Sequence, residues 1–361
     1  MATSFKNLDS AKDSVVTRNL LHEAIPITGS IVSGTYGTNN IKEFSHGMFQ
    51  SVYDYPYLSS SANHIFDLTC GYAADSGLSS SGLPAAAQQD KKINIYNQMA
   101  QVLVGFDENG AVRRFDEDGD LTDGAKIEDA YFFNFTRLLS KDEIKKGSFT
   151  LSLGMSGTYA TPFGDGSTEL VSVTDYSGSN GYKVNSPAGE YGTLYASGSA
   201  LVGGDVTPDD NGNVKAGLLY YQAGIAVLTS SLFQGLLGTD AEMNADGEDS
   251  AAVLTGSSIN LNADSIRHRI NNISFNNTTE LNSTIYFCRV NNTDFNYSAN
   301  PTYLSESKMV VKTNSQDLPV SYVTSVGLYS PDNELLAVAK LSEPLKKDPS
   351  TEFTIRVRLD Y

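Results

Sequence analysis

The sequence predicts a mainly β protein, a β-rich α+β fold of antiparallel sheets with a few short helices. Three observations predict it. Residues 353–359 alternate apolar and polar side chains with a period of two, as in a half-buried strand. Turn signals such as Asn109-Gly110 are typical of hairpins. Helical spacing of apolar residues is confined to a few stretches.

Three helices are predicted. Residues 9–25 place apolar side chains at near-helical spacing and stop before Pro26, which predicts an N-terminal helix. Residues 27–37, rich in Gly and β-branched residues, then indicate an extended arm or an edge strand, and we predict that this N-terminal region is an assembly arm. A second helix is predicted over 90–106, with Asp90 as its N-cap. Ser140 and Glu143 have capping-box spacing and Gly147 is a stop signal, which predicts a third helix over 140–146.

The clearest strand patterns lie in the second half of the chain. Residues 218–228 predict a hairpin around Gln222 and Gly224. Residues 320–329, 335–339 and 353–359 alternate around a turn at Pro331, which predicts a C-terminal three-stranded meander. Period two places Arg356 and Arg358 on the outward face of the last strand. The candidate core of the meander is Val323, Leu328, Leu336, Val338, Ile355, Val357 and Leu359.

The length of 361 residues favours more than one domain. We expect an N-terminal segment (1–89) with the helix, the arm and an aromatic docking segment. A central β-rich acidic domain (90–265) and a C-terminal antiparallel β module (266–361) follow.

Charge excludes two classes of partner. The chain has 25 Lys and Arg against 42 Asp and Glu, a net charge of −17. Binding to nucleic acid requires clustered basic residues, and so does binding to an anionic membrane surface. Residues 216–239 are uncharged and long enough to span a bilayer, but their polar residues favour a buried strand pair and a short helix. We therefore predict neither nucleic-acid binding nor membrane insertion.

The N-terminus lacks the apolar core of a signal peptide, so we expect synthesis in a cytoplasm. Cys70 and Cys288 are the only cysteines, which excludes a disulfide framework and a multi-cysteine zinc site. A single disulfide between them is possible, but we favour a reducing compartment, in which both would be free thiols.

No catalytic motif stands out. The histidines, His22, His46, His64 and His268, lack the i, i+4 spacing of a helical metal pair, and there is no phosphate loop or nucleophile elbow. A glycan hydrolase needs only two carboxylates, which the 42 acidic residues supply, but Trp, common on sugar platforms, is absent. We predict no catalytic residue, no cofactor and no enzyme activity.

An acidic run suggests a calcium loop. With Gly119 at position six of an EF-hand, Arg114 and Ala125 occupy positions one and twelve, where carboxylates are needed. A non-EF calcium site and a solvated turn between strands both remain open; we expect the turn, and folding that needs no metal. The candidate ligands are Asp116, Asp118, Asp120 and Asp123.

Residues 44–57 are crowded with aromatic side chains and have little periodicity, which suggests a segment that docks onto another domain or chain. The candidate interface residues there are Phe44, Phe49, Tyr53, Tyr55 and Tyr57. Arg356 and Arg358 are added because basic residues in a chain of this charge would face acidic neighbours.

Several blocks together cover most of the chain outside the acidic loops. They are residues 44–56 (FSHGMFQSVYDYP), 61–67 (SANHIFD), 218–228, 269–280 (RINNISFNNTTE) and the C-terminal 319–347 and 353–361. These blocks resemble tail structural proteins of marine contractile-tailed bacteriophages, the cyanophage type. No catalytic residue comes with this resemblance.

The resemblance implies a virion structural protein of the tail, assembled in the host cytoplasm, most plausibly a wedge-type baseplate component. Its partners would be other tail and baseplate proteins, with several copies around the tail axis. Three alternatives stay open: a receptor-binding or tail-fibre adhesin or its adaptor, a tail-associated glycan hydrolase, and a neck or head structural protein.

Overall fold

The computed structural model describes residues 5–23, 38–79, 87–121, 124–139, 142–155, 158–163, 170–197, 214–234, 241–297, 304–305, 308–309, 316 and 319–360. Strands account for 43% of the residues and helices for 18%, which confirms the predicted mainly β class. The pairings between strands are antiparallel.

Helices are few and short in the described part of the chain. None of them combines the length and the apolar character that a membrane span requires. The α-helices are α1 (Gln89–Leu103), α2 (Thr136–Leu139), α3 (Gly178–Gly181), α4 (Ser250–Gly256) and α5 (Ile259–Arg269).

Strands occur along the whole chain. The first half contains β1 (Ser14–Glu23), β2 (Ile41–Glu43), β3 (Gln50–Tyr53), β4 (His64–Tyr72), β5 (Phe115–Asp116), β6 (Lys126–Ile127), β7 (Asp129–Asn134), β8 (Glu143–Ile144), β9 (Thr150–Gly154) and β10 (Leu170–Thr174). The second half contains β11 (Lys183–Ser186), β12 (Gly189–Ser197), β13 (Val214–Tyr220), β14 (Ile225–Thr229), β15 (Ile270–Ser274), β16 (Asn277–Val290), β17 (Leu304–Ser305), β18 (Lys308–Met309), β19 (Ser321–Tyr329), β20 (Leu335–Lys347) and β21 (Phe353–Asp360).

The chain divides into two compact units. We call Met1–Leu21 with Glu280–Tyr361 the terminal unit, and His22–Thr279 the central unit. The boundaries expected near residues 89 and 265 both fall inside the central unit. The N-terminal residues belong instead with the C-terminal ones, because β1 lies beside β16.

The central unit is built on one sheet of eleven strands. Its order is β15-β9-β10-β12-β13-β14-β7-β4-β3-β2, with β11 paired to β12. The middle strands are apolar on both faces: all five residues of β14 are buried. The contiguous hydrophobic core formed by buried residues runs from Ile41 to Phe275 and lies entirely within this unit.

Helices α1 and α5 pack on β4 in this unit. Gly71 allows the close approach of α1, because a Cβ there would lie 2.5 Å from the carbonyl oxygen of Lys92. Lys92 is fully buried and its Nζ donates to the carbonyl oxygens of Leu254, at 2.5 Å, and Ser257, at 2.7 Å. A buried ammonium group therefore satisfies carbonyls at the C-terminal end of α4.

The terminal unit has a different construction. Its sheet has the order β1-β16-β21, and the register of β16 with β21 runs from Ser283 opposite Asp360 to Val290 opposite Phe353. A separate two-stranded hairpin is formed by β19 and β20. Among the described residues of this unit, Val290 and Val357 are the only apolar side chains that are buried.

The predicted helix over 90–106 is confirmed as α1, which ends at Leu103, and the predicted hairpin over 218–228 is confirmed as β13 and β14. The predicted N-cap is wrong: Gln88 occupies that position, and Asp90 lies in the first turn of the helix, where a carboxylate is also favourable. The predicted helix over 9–25 is wrong. Only one turn forms at Asp9, and β1 follows it. The β-branched Val15 and Val16 suit a strand, and β16 supplies hydrogen bonds that a helix would have made internally. The predicted arm, 27–37, lies outside the described residues.

The predicted helix over 140–146 is also wrong. The helix comes earlier, as α2, because the side chain of Asn134 accepts a hydrogen bond from the backbone N–H of Thr136. Residues 140–141 lie outside the described part. Beyond them β8 pairs with Asn277 and Thr278, and the N–H of Ile144 donates to the carbonyl of Tyr221. Tertiary partners take the backbone groups that a helix would have used.

The C-terminal meander is half right. The turn at Pro331 joins β19 to β20 as predicted, with Asn333 at φ +65°. The third strand, β21, pairs with β16 and not with β20. The predicted core changes as well: Val357 is buried, but Leu336 and Val338 are 67% and 63% exposed.

Candidate functional site

The predicted aromatic segment occupies the loop between β2 and β3, β3 itself and the loop after it, at one edge of the large sheet. Phe44 stacks on His46, with ring centroids 5.2 Å apart, and contacts Phe49 at 4.8 Å. Lys42 lies over the same ring, 4.9 Å from its centroid. Phe44 and Phe49 are therefore half-buried in their own cluster, which reduces what they can offer a partner.

The three tyrosines of that segment differ among themselves. Tyr53 is half-buried and contacts Tyr57 and His64. Tyr55 is 57% exposed, and Tyr57 and Leu58 are exposed beside it. We call Tyr55, Tyr57 and Leu58 the tyrosine edge. This part of the predicted docking segment presents apolar surface to solvent.

The two predicted arginines lie on the outward face of β21, as period two requires, while Val357 between them is buried. The Nε atom of Arg358 lies 2.6 Å from Asp360 Oδ1 on the same face. Ser283 also donates to Asp360, and these contacts lower the pKa of that carboxyl group. Part of the charge of Arg358 is thus neutralised within its own strand.

A larger exposed surface was missed by sequence analysis. The hairpin of β19 and β20, which we call the apolar hairpin (321–347), exposes large side chains along its length. Alternation along the two strands was visible, but it could not show whether either face would be covered. The exposed residues are Tyr322, Tyr329, Leu335, Leu336, Val338 and Leu345.

The acidic run forms the loop between β5 and β6. The structure brings three predicted ligands together: Asp116, Asp118 and Asp120 each offer an oxygen, and these atoms lie within 4.8 Å of one another. Asp116 is buried, Asp118 half-buried and Asp120 exposed. The fourth candidate, Asp123, lies outside the described residues. This is the one such cluster of potential metal ligands found in the described ranges.

One constellation has the residue types of a hydrolase triad. Both Ser51 Oγ and His64 Nε2 contact the same oxygen, Asp67 Oδ1, at 2.5 and 2.6 Å. Burial raises the pKa of Asp67, but the hydrogen bonds from His64 and Ser51 outweigh it, and the net effect is a lowered pKa. In a triad the histidine must accept the serine proton, whereas here the serine donates to the carboxylate. The arrangement is suited to bracing β3 against β4.

A second polar cluster bears on glycan hydrolysis. Lys146 lies 3.2 Å from Glu143 and 2.7 Å from Glu190, and both carboxylates are buried. The two glutamates raise the pKa of Lys146 in spite of the opposing effect of burial. A glycosidase needs one carboxyl group as general acid and a second as base or nucleophile. Here both carboxylates are paired with the same lysine, so neither is set up for these roles.

Two open clefts lie side by side in the described part of the chain. Their volumes are about 270 and 480 Å³, and they share Arg113 and Arg114 beside the turn at residues 107–111. Arg114 is paired with Asp75 and Glu128, and Asp107 accepts bonds from the backbone of its own turn. Arg114 and Asp107 are thus engaged in holding the fold.

The remaining histidines and the two cysteines lie outside the clusters described above. His268 stacks on Tyr159, with ring centroids 4.3 Å apart. Cys70 is buried and Cys288 half-buried, and both are free thiols. The side chain of His22 lies outside the described part.

Comparison of the chain with models of known families, with curated proteins and with solved structures gives no significant match.

Proposed function

We propose that this protein is a structural component of a bacteriophage tail, a wedge-type baseplate protein present in several copies around the tail axis. It acts by holding neighbouring proteins through extended interfaces, in the virion, after assembly in the host cytoplasm. The sequence blocks quoted above support the tail assignment through their resemblance. The exposed apolar surface of the terminal unit supports the mode of action.

The observation that carries this proposal is the imbalance of apolar burial in the terminal unit. Its described residues bury two apolar side chains, Val290 and Val357, and expose eleven large ones of the twenty in the described chain. A unit of about 100 residues normally buries a continuous core. An isolated two-stranded hairpin is also only marginally stable in water. Burial against other chains would supply the missing stabilisation.

The exposed side chains are of the kind that stabilises interfaces. Tyrosines carry a large share of binding energy, because they bury much area with little loss of conformational freedom. The apolar hairpin carries Tyr322 and Tyr329, and Phe5 packs edge-on against Tyr329 at 5.4 Å while remaining 62% exposed. A standard interface buries roughly 800 Å² on each partner, which a surface of this length can supply.

Charge is divided unequally between the units, and this division favours other copies of the chain as neighbours. The terminal unit has 11 basic and 12 acidic residues, whereas the central unit has 14 basic and 30 acidic residues. Central units of like charge repel one another. A nearly neutral terminal unit with Arg356 and Arg358 facing outward can lie against an acidic neighbour without that penalty.

The proposal is tested on particles of the virus that encodes the chain. Leu336 and Val338 on the apolar hairpin are changed together to Ser, and the control changes Val102 and Val184, equally exposed in the central unit, to Ser. We expect both variants to fold, and only the hairpin variant to be missing from purified tails by mass spectrometry. Absence of the wild-type chain from purified tails would refute the proposal, as would full incorporation of the hairpin variant.

The outward arginines give a second, electrostatic test. Changing Arg356 and Arg358 together to Glu should leave the melting temperature of the isolated protein nearly unchanged, since exposed ion pairs contribute about 0–1 kcal/mol. Assembly should weaken, and more so at low salt, where charges are less screened. Sedimentation of mixtures with tail proteins at two salt concentrations measures this. Assembly of the variant equal to wild type at low salt would contradict the assigned role of these residues.

A further inference from the structure

The acidic loop has the register of a calcium loop when it is read from Asp116. Asp116, Asp118 and Asp120 then take positions one, three and five, and Leu121 takes position six. Position six of such loops is normally Gly, because the turn there needs a positive φ. Leu121 adopts φ +64°, a conformation that costs a leucine free energy. Gly119 has φ +76° as well, so a positive φ stands at position six in either register. Only the register that begins at Asp116 puts carboxylates at positions one, three and five.

A buried carboxylate oxygen in the cluster has no donor. Asp116 is 1% exposed, and its Oδ2 accepts from Lys126 Nζ at 2.9 Å. Its Oδ1 is enclosed and has no hydrogen-bond partner. Leaving a buried polar atom unsatisfied costs about 1–3 kcal/mol, and more when the group is charged. A cation held by the neighbouring carboxylates would satisfy this oxygen.

The loop is held in place by groups outside the cluster. The hydroxyl of Tyr191 on β12 donates to the carbonyl oxygen of Gly119 at 2.7 Å, and Thr193 contacts the carbonyl of Asp118 at 3.5 Å. The three carboxylates are thus brought together before any ion arrives.

We propose that Asp116, Asp118 and Asp120 bind one calcium ion. Oxygen ligands suit a hard cation, and the cluster contains no His or Cys that would favour zinc or copper. Two oxygens bound to one Ca²⁺ at about 2.3–2.6 Å can lie up to about 5 Å apart, which matches the spread of the cluster. This inference goes beyond the proposed function and revises the expectation of metal-independent folding.

Two lysines determine how tightly the ion binds. Lys126 pairs with Asp116 at 2.9 Å, and Lys215 lies 3.8 Å from Asp118 Oδ2. Their charges oppose a divalent cation, and position twelve of the loop is Ile127 where strong sites have a bidentate Glu. We therefore expect a dissociation constant of about 10⁻⁴–10⁻³ M, the range of extracellular modules.

The test uses the full-length protein, treated with chelator and titrated with CaCl₂ in a calorimeter and in thermal melts. We expect one bound ion and a melting temperature that rises by about 2–5 °C at saturation. MgCl₂ should have a smaller effect, because magnesium demands a tighter octahedral shell. Calcium should also slow hydrogen exchange in peptides covering residues 115–127, which locates the ion without any substitution.

The test variant combines Asp118→Asn with Asp120→Asn and leaves the buried Asp116 intact. Its matched control combines Asp246→Asn with Glu248→Gln, an exposed acidic pair of the same spacing in the same unit. We expect calcium binding to be lost in the first and kept in the second. No binding by the wild type at 10 mM CaCl₂ (about ten times the weakest expected dissociation constant), equal effects of Mg²⁺ and Ca²⁺, or exchange protection elsewhere than 115–127 would overturn the proposal.

Discussion

Truncation of Val357 to Ala is the sharpest test of the terminal unit. Val357 lies on β21 opposite Tyr286 and is 8% exposed. Removing two buried methyl groups forfeits about 0.8 kcal/mol each in transfer free energy, and the cavity left behind adds to this. We expect a loss of about 2 kcal/mol in the free energy of unfolding of this unit.

The same substitution at Val338 is the matched control. Val338 also lies on a strand of the terminal unit but is 63% exposed. Val→Ala there should cost at most about 0.5 kcal/mol, chiefly through the lower β-propensity of Ala. Comparing the two variants isolates the contribution of burial, about 1.5 kcal/mol or more.

Hydrogen exchange measured by mass spectrometry is the appropriate assay, because it reports on each unit separately. Peptides covering 283–290 and 353–360 should lose protection in Val357→Ala and keep it in Val338→Ala. Peptides of the central unit provide an internal reference. An equal or larger loss in Val338→Ala would refute the assignment of the buried and exposed faces.

Two further predictions concern the central unit. Lys92→Met should lower its unfolding free energy by about 2–4 kcal/mol, because the buried carbonyls at the end of α4 lose their donor; urea unfolding that matches wild type would contradict this. Burial, with a smaller effect of the Glu128 charge, raises the pKa of Asp129 to about 6, so the folded state holds this proton more tightly than the unfolded state does. Folding above pH 6 must therefore place a charge at this half-buried position, and Asp129→Asn should stabilise the protein by about 1–3 kcal/mol at pH 8 and by little at pH 4. Melting curves at both pH values measure this, and an equal effect at both would argue against it.

Short-range patterns in the sequence predicted the elements that depend on local interactions. Helix α1, the hairpin of β13 and β14, the turn at Pro331 and the two faces of β21 all follow from spacing within a dozen residues. The spacing of Asp116, Asp118 and Asp120 was visible in the same way. Each of these depends on side-chain period and turn chemistry, which neighbours in the chain determine.

Elements whose partners are distant in the sequence were decided by tertiary structure. Residues 14–23 carry a helical pattern. They form a strand because their backbone hydrogen-bonds to β16, which lies more than 250 residues away in the sequence. Strand β21 likewise pairs with a distant strand, β16, and not with its neighbour in the sequence, β20. Backbone hydrogen bonds go to whichever partner the packed chain brings close, and local propensity is too weak to prevent this.

The candidate sites divide in the same way. The sequence by itself determined the mainly β class, the acidic charge and the positions of the carboxylates and aromatic residues. Only the tertiary structure decided that Asp116 is buried with an unsatisfied oxygen, that Phe44 packs within its own cluster, and that Leu336 is exposed on the apolar hairpin. The physical reason is that burial depends on what covers a residue, and the covering atoms come from segments far away in the chain.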